Sequence, residues 1–369
     1  LPIVQYRRGT RNDPEDYMQS ESRLEVEQMK AVKIVKPNDL QIIDMEKPVL
    51  DEKNNVLVKI RAAGICGSDV GIYHGKNAAA TYPRVIGHEM VGDVVEVGEN
   101  ATKFKVGDRV IIDQVTACGH CYACRKGRPN VCANLKVRGV HIDGGYREFM
   151  AVPESDCYRL PDSLSYEDAV MIEPTTIAVQ ACSRAQIEFE DNVLIIGAGA
   201  LGNSILRIAR LYHPQNIIVA DIEDGKLEEA LKHGATYVVN SRTEDLVERV
   251  HEITDGYGPT VVIDAACFKG SFLTACRCAG NAGRVITMGF SVDPDDINQF
   301  VITSKELDVR GSRLQNRRFQ TVIDLVEKGQ VDLKGSISHR FYFQDAQKAF
   351  DFNDTHDPSI RKIVLTFDE

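Results

Sequence analysis

Residues 192–221 read NVLIIGAGALGNSILRIARLYHPQNIIVAD, and the order of signals within them decides the fold. The opening NVLII is a short β-branched run of the kind that forms a strand buried on both faces. Gly197-Ala198-Gly199-Ala200-Leu201-Gly202 follows at once and fits G-x-G-x-x-G. Residues 200–212 then carry apolar side chains at helical spacing, and NIIVAD is a second strand run that ends on an acid, Asp221.

Alone, such a glycine pattern is weak, because Gly is common and also occurs in helical turns. Set between a strand and a helix, with an acid ending the next strand, it is what a dinucleotide-binding turn requires. The glycines let the backbone and the helix N-terminus approach a pyrophosphate. An Asp221 carboxylate can accept both ribose hydroxyls of NAD and repels a 2′-phosphate, so NAD is expected rather than NADP. Gly197, Gly199, Ala200, Leu201, Gly202 and Asp221 are the cofactor residues this pattern predicts.

Downstream the alternation continues: GKLEEALKHG (helix), TYVVN (strand), TEDLVERVHEIT (helix), TVVIDAA (strand), FLTACRCA (helix) and RVITMGF (strand). Strands alternating with helices at this length predict a doubly wound parallel sheet. FVITS and LDVRGS read as its last, β-rich strands, and an edge left open there would favour pairing with a second copy, a homodimer or homotetramer. Upstream, from Met29 to about Ile172, runs such as VLVKIRAAG, MVGDVVEVG and DRVIIDQV are bounded by Gly, Asp and Asn. They predict a β-barrel with many turns. The fold class is therefore α/β with a β-barrel. Residues 316–329 read as a helix and KIVLTF as a final strand returning to the first domain. Residues 1–28 are charged without an apolar period and read as a peripheral extension.

Cys118, Cys121, Cys124 and Cys132 fall at C-x2-C-x2-C-x7-C in a loop with Gly119, Gly127 and Pro129. Four soft ligands in a tight loop suit a tetrahedral structural Zn²⁺. A redox dithiol would leave two of the four unexplained, and no thioredoxin-like βαβ pattern surrounds them.

Among 369 residues the net charge is −10, a poor match for phosphate backbones. No apolar run approaches the length of a membrane span, and LPIVQYRRGTRND lacks a signal-peptide core. Ten cysteines with a zinc spacing and no signal read as reduced thiols, which points to the cytoplasm. No nucleic-acid or membrane partner is expected.

Three further motifs acquire meaning together: Cys66 in GICGSD, His88 in GHE, and Glu173-Pro174. With the four-cysteine loop and the GAGALG turn in the same order, the chain from Met29 onward resembles the zinc-dependent medium-chain dehydrogenases. Glu89 after His88 and the Glu-Pro step are similar to the polyol and sugar-acid branch, which includes sorbitol, L-threonine 3-, L-idonate 5- and L-galactonate 5-dehydrogenases. YPRVIGHE, GVHIDGG and VLTFDE look closest to its starvation-sensing type.

The resemblance implies a GroES-like catalytic domain over 29–178 and 315–369 and a Rossmann domain over 179–314, with the active site between them. It implies two Zn²⁺ per subunit. The catalytic ion would take Cys66, His88 and either Glu89 or Glu173, with the other carboxylate close behind and one position open to a small polar substrate. Ser68 would pass the proton outward, Lys226 would approach the adenosine ribose, and Thr176 would pack by the nicotinamide or cap its helix. Relatives in this branch often carry His five residues after the zinc cysteine. Here that position is Gly71, and His74 is the nearest imidazole and a candidate substrate contact. Arg313 follows the last expected nucleotide-domain strand; its planar fork suits a substrate carboxylate, or alternatively a cofactor phosphate or a neighbouring carboxylate. The reaction implied is oxidation of a secondary hydroxyl of a sugar acid or polyol, such as L-galactonate, L-idonate or L-gulonate. L-Threonine or vicinal-diol oxidation is the alternative, and an inactive zinc-binding relative the distant one.

Overall fold

The computed structural model describes residues 26–290 and 297–368. The expected extension lies outside the described residues up to position 25. Glu27 already accepts an ion pair from Lys47 at 2.8 Å.

The first half supplies ten strands: β1 (Gln28–Lys36), β2 (Asp39–Glu46), β3 (Val56–Gly64), β4 (Arg84–Val85), β5 (Glu89–Val97), β6 (Arg109–Ile112), β7 (Val115–Thr116), β8 (Lys136–Val137), β9 (Phe149–Val152) and β10 (Cys157–Arg159). The nucleotide-binding half supplies β11 (Asn192–Ile196), β12 (Asn216–Asp221), β13 (Tyr237–Asn240), β14 (Val261–Asp264), β15 (Arg284–Thr287) and β16 (Asp308–Gly311). β17 (His339–Tyr342) and β18 (Ile363–Thr366) close the chain.

β11–β16 form one six-stranded sheet, ordered β13-β12-β11-β14-β15-β16, with every neighbour parallel. The order reverses beside β11, so the crevice at its carboxyl end is where a ligand binds in such sheets. β11 and β14 are buried almost throughout, as strands covered on both faces must be.

The expected barrel is not closed among the described residues. Its strands divide into a three-stranded sheet, β2-β1-β4, and a seven-stranded sheet running β10-β6-β5-β3-β18-β17 with β9 beside β3. β5 is locked to β3 from Val56↔Val97 to Gly64↔Glu89, a register that ends on a candidate site residue. β18, the KIVLTF segment, pairs antiparallel with the end of β3.

Two expectations differ from the structure. FVITS is not a strand: Gln299–Thr303 is helical, and the Asn298 side chain accepts the Phe300 amide at 2.9 Å as its N-cap. A cap overrides the β-branched run there. The expected domain boundary at residue 178 falls inside the helix Ile172–Ala185, which carries Glu173 in its first turn.

Candidate active site

GICGSD turns from β3 into the helix Gly67–Tyr73, with Cys66 at the N-cap. Asp69 reaches back, its Oδ2 accepting the Cys66 amide at 3.0 Å. Asp69 is fully buried; its Oδ1 also lies 3.3 Å from His88 Nδ1 and accepts the Gly87 amide at 3.3 Å. The contact is an ionic proximity and not a hydrogen bond, His88 Nδ1 having no hydrogen-bond partner, but a carboxylate on that side of the ring favours Nε2 as the metal donor. Burial opposes a charged imidazole, but Asp69 overrides it and raises the proton affinity of His88 well above the ordinary value. Burial likewise works against the Asp69 charge, and His88 with the Cys66 amide outweighs it, holding Asp69 below the usual carboxylate range.

Donor atoms of Cys66, His88 and Glu89 lie within 4.8 Å of one another. Glu89 is 1% exposed, and its Oε1 has no hydrogen-bond partner. Its Oε2 is ion-paired with Lys362 Nζ, a lysine itself only 7% exposed. Gly64 makes room for this pair: a Cβ there would lie 2.0 Å from Glu89 Oε2 and 2.9 Å from Lys362 Cε. A thiol, an imidazole freed at Nε2 and a carboxylate with an orphaned buried oxygen are the donor set of an open Zn²⁺ site.

Glu173 stands apart from that cluster. Its Oε1 accepts from Gln114 Nε2, and burial pushes its carboxyl up to about 8, Glu89 adding to the shift while His88 and Lys362 oppose it. Ser68 Oγ lies 3.4 Å from His88 Nε2, on the donor side of the ring.

The four-cysteine loop brings Cys118, Cys121, Cys124 and Cys132 into a second cluster. Neighbouring sulfurs are 3.4 Å (Cys118–Cys132), 3.5 Å (Cys121–Cys124) and 3.8 Å (Cys121–Cys132) apart. Zn–S bonds of about 2.3 Å in a tetrahedron put sulfurs roughly 3.8 Å apart. Backbone amides of Cys118 and Asn134 donate to Cys132 Sγ, each at 3.3 Å. Amides of Ala133 and Cys124 hold the Cys121 thiol down to about 6. All ten cysteines are free, and the four sulfurs of this loop lie close enough together to hold one metal ion.

The glycine turn is built as its sequence requires. A Cβ on Gly202 would lie 1.8 Å from the Gly197 carbonyl oxygen, so only Gly lets helix Ala200–Ala209 sit that close to β11. Asp221 Oδ2 accepts the Ala198 amide at 2.7 Å and Oδ1 the Ile222 amide at 2.8 Å, fixing the carboxylate beside the turn. Ala198, Gly199, Ala200 and Lys226 line a cleft of about 990 Å³ together with Lys334, Arg361 and Lys362. A glycine turn at a helix N-terminus with several cations lining the same cleft suits a pyrophosphate.

Other sequence candidates lie as follows. Thr176 is fully buried and its hydroxyl donates to Glu173 O at 2.5 Å, so it neither caps the helix nor reaches the cleft; Thr175 lines the cleft instead. His74 is engaged at both ring nitrogens, with Asn38 at 3.0 Å and Asp354 at 2.9 Å, leaving none for substrate or a proton relay. Leu201 packs against the core beneath the turn. The Arg313 guanidinium lies 4.9 Å over the Phe290 ring, its Nε buried without a partner. Burial and the cations Lys136, Arg313 and Arg84 hold nearby His141 below its ordinary value.

Sequence reasoning passed over Asp69, Gln114, Tyr146 and Lys362. Asp69 had a local signal, the acid three residues after Cys66. The others reach the site only through tertiary contacts, such as Tyr146 Oη to Gly64 O at 2.9 Å.

Residues 52–162 match the family model of the alcohol dehydrogenase GroES-like domain, and residues 200–328 that of the zinc-binding dehydrogenases. The chain is 42% identical over 342 residues to the starvation-sensing protein RspB of Escherichia coli K12, covering 92% of this chain and 100% of that protein. It is 30% identical to the sorbitol dehydrogenase of Bacillus subtilis, over 88% of this chain and 93% of that one. The crystal structure of an rspB alcohol dehydrogenase from E. coli CFT073, complexed with NADH, superposes with a TM-score of 0.87 at 42% identity, covering 92% of this chain and 99% of that one. The chain belongs to the zinc-dependent medium-chain dehydrogenases. It is an NAD(P)-dependent oxidoreductase acting on CH–OH groups.

Proposed function

We propose that the protein oxidises a secondary hydroxyl of a sugar acid or polyol with NAD, a hexonate such as L-galactonate, L-idonate or L-gulonate fitting best. The observation that carries the acid reading is Arg313. Its guanidinium lies over Phe290 just beyond β15, and among the described residues it has no ion-pair partner. A planar cation whose inner nitrogen is buried and unpaired suits a carboxylate arriving with the substrate. Similarity to a sorbitol dehydrogenase supports the polyhydroxylated part of the reading.

In this reading Cys66, His88 and Glu89 hold the catalytic zinc, and Cys118, Cys121, Cys124 and Cys132 the structural one. Zinc held there would supply Lewis acidity toward the substrate hydroxyl, and NAD in the cleft would supply the hydride acceptor. The chain's own work is placement. Asp69 orients His88, Ser68 receives the hydroxyl proton and hands it outward, and Glu173 stands behind as an exchangeable carboxylate. Asp221 selects NAD over NADP through the ribose.

Assembly is part of the proposal, as a homodimer or homotetramer. β16 is the outer strand of its sheet, and Asp308 and Arg310 flank Val309 on it. An antiparallel two-fold through Val309 sets each Asp308 opposite the Arg310 of a second copy. Ten free thiols support a reducing, cytoplasmic setting.

The substrate reading is tested by Arg313→Lys with sugar acids and matching uncharged polyols. Loss of a bidentate pair should raise KM for the acid by roughly 10–100-fold, about 1.5–3 kcal/mol, and leave KM for NAD unchanged. A raised KM for NAD with unaltered acid binding would assign Arg313 to the cofactor.

A further inference from the structure

Lys362 belongs to two sites at once. Its Nζ is ion-paired with Glu89 Oε2, and Lys362 is also among the residues that line the dinucleotide cleft, with Ala198, Gly199 and Ala200 of the glycine turn. Its backbone cannot travel: Lys362 O accepts the Ser338 amide at 2.9 Å, and Lys362 N donates to Ser338 Oγ at 3.2 Å, just before β18 begins. Movement is therefore confined to the four-carbon stem, and an ammonium, with three rotatable donors, can exchange one anion for another. Among the described residues Glu89 has no other ion-pair partner, and its Oε1 is already free.

We propose that Lys362 is a positioning residue that couples occupancy of the dinucleotide cleft to the Glu89 carboxylate at the metal cluster. With the cleft empty, Lys362 neutralises Glu89 through Oε2 and leaves the metal only Oε1 of a charge-compensated carboxylate. Cofactor phosphate in the cleft draws the ammonium away and leaves the carboxylate to the metal. By linkage, whatever frees Lys362 from Glu89 must tighten cofactor binding by the same factor. The inference rests on the zinc and NAD reading above.

Calorimetric titration of the metal-loaded protein with NAD separates the two ideas. Glu89→Gln removes the charge that holds Lys362, so NAD affinity should rise about tenfold, within the usual span of such couplings. Lys362→Met should weaken NAD, and in its background Glu89→Gln should bring no gain. Lys362→Arg, which keeps the charge, should restore part of it. A second readout is the visible spectrum of the cobalt-substituted protein. The wild type should shift on adding NAD, while Lys362→Met should begin near the shifted spectrum and respond little. A Glu89→Gln gain of equal size with and without Lys362 would reduce the effect to general charge and overturn the coupling. So would a Lys362→Met spectrum that starts and responds like the wild type, or a wild-type spectrum that ignores NAD. A wild type that binds zinc but no NAD would overturn the dehydrogenase reading beneath it.

Discussion

Asp113 is 8% exposed, at the end of β6, and accepts from the Val115 amide and from Gln315 Nε2, both at 2.8 Å. Burial pushes its carboxyl up to about 7, Asp156 adding to the shift while the two donors and Arg138 oppose it. The folded value lies above the unfolded 3.8, so the native state binds the proton more tightly. Stability is then highest below about pH 4, falls as pH rises toward 7, and stays reduced above. Asp113→Asn retains an oxygen for both donors and cannot ionise. It should gain on the order of 4 kcal/mol at pH 8 and almost nothing near pH 4, measured by urea unfolding. A loss at pH 8 would mean that Asp113 is ionised and serves Arg138. Residues of this kind were silent in the sequence. Cys66, His88 and Glu89 could be found because each sits in a short motif, whereas Gln114 and Lys362 meet Glu173 and Glu89 only after folding. His74 misled for the converse reason: an imidazole near the motif is claimed by Asn38 and Asp354, from segments with no sequence relation to it.

Among the elements, the cysteine loop was the most legible, because its four cysteines lie within fifteen residues and converge without a distant partner. Its contacts, however, extend outward. Asn130 Nδ2 donates to Arg313 O at 2.8 Å, and Asn316 Nδ2 to Gly127 O at 2.9 Å, so the loop holds the segment that carries Arg313. Cys121→Ser should therefore lower the melting temperature and weaken acid-substrate binding together, since metal affinity at such a site is folding free energy. Unchanged melting with unchanged substrate KM would show that the loop folds without its metal. The parallel strands were legible from their apolar runs, and the helix Gln299–Thr303 was not. Five residues are too few for a period, and the deciding signal was one cap, Asn298. The β-rich first half gave the right strands but not their closure, because pairing between β3, β9 and β18 is set by contacts across the whole chain.

At the scale of the molecule, the β16 edge predicts how copies meet. Asp308→Lys sets like charges across the proposed two-fold and should shift sedimentation toward monomer, while Asp308→Lys with Arg310→Asp should restore the oligomer. A double variant that stays dissociated would remove that register. Larger still is the proposed division of labour between the two groups of side chains that could hold metal, Cys66 with His88 and Glu89, and the four cysteines of the loop. Metal content per chain, measured on the purified wild type and on Cys66→Ser, tests that division most directly. The wild type should carry two zinc ions; Cys66→Ser should carry one, keep its fold and lose NAD reduction. One zinc in the wild type, or a Cys66→Ser protein that still carries two and still turns over, would contradict it.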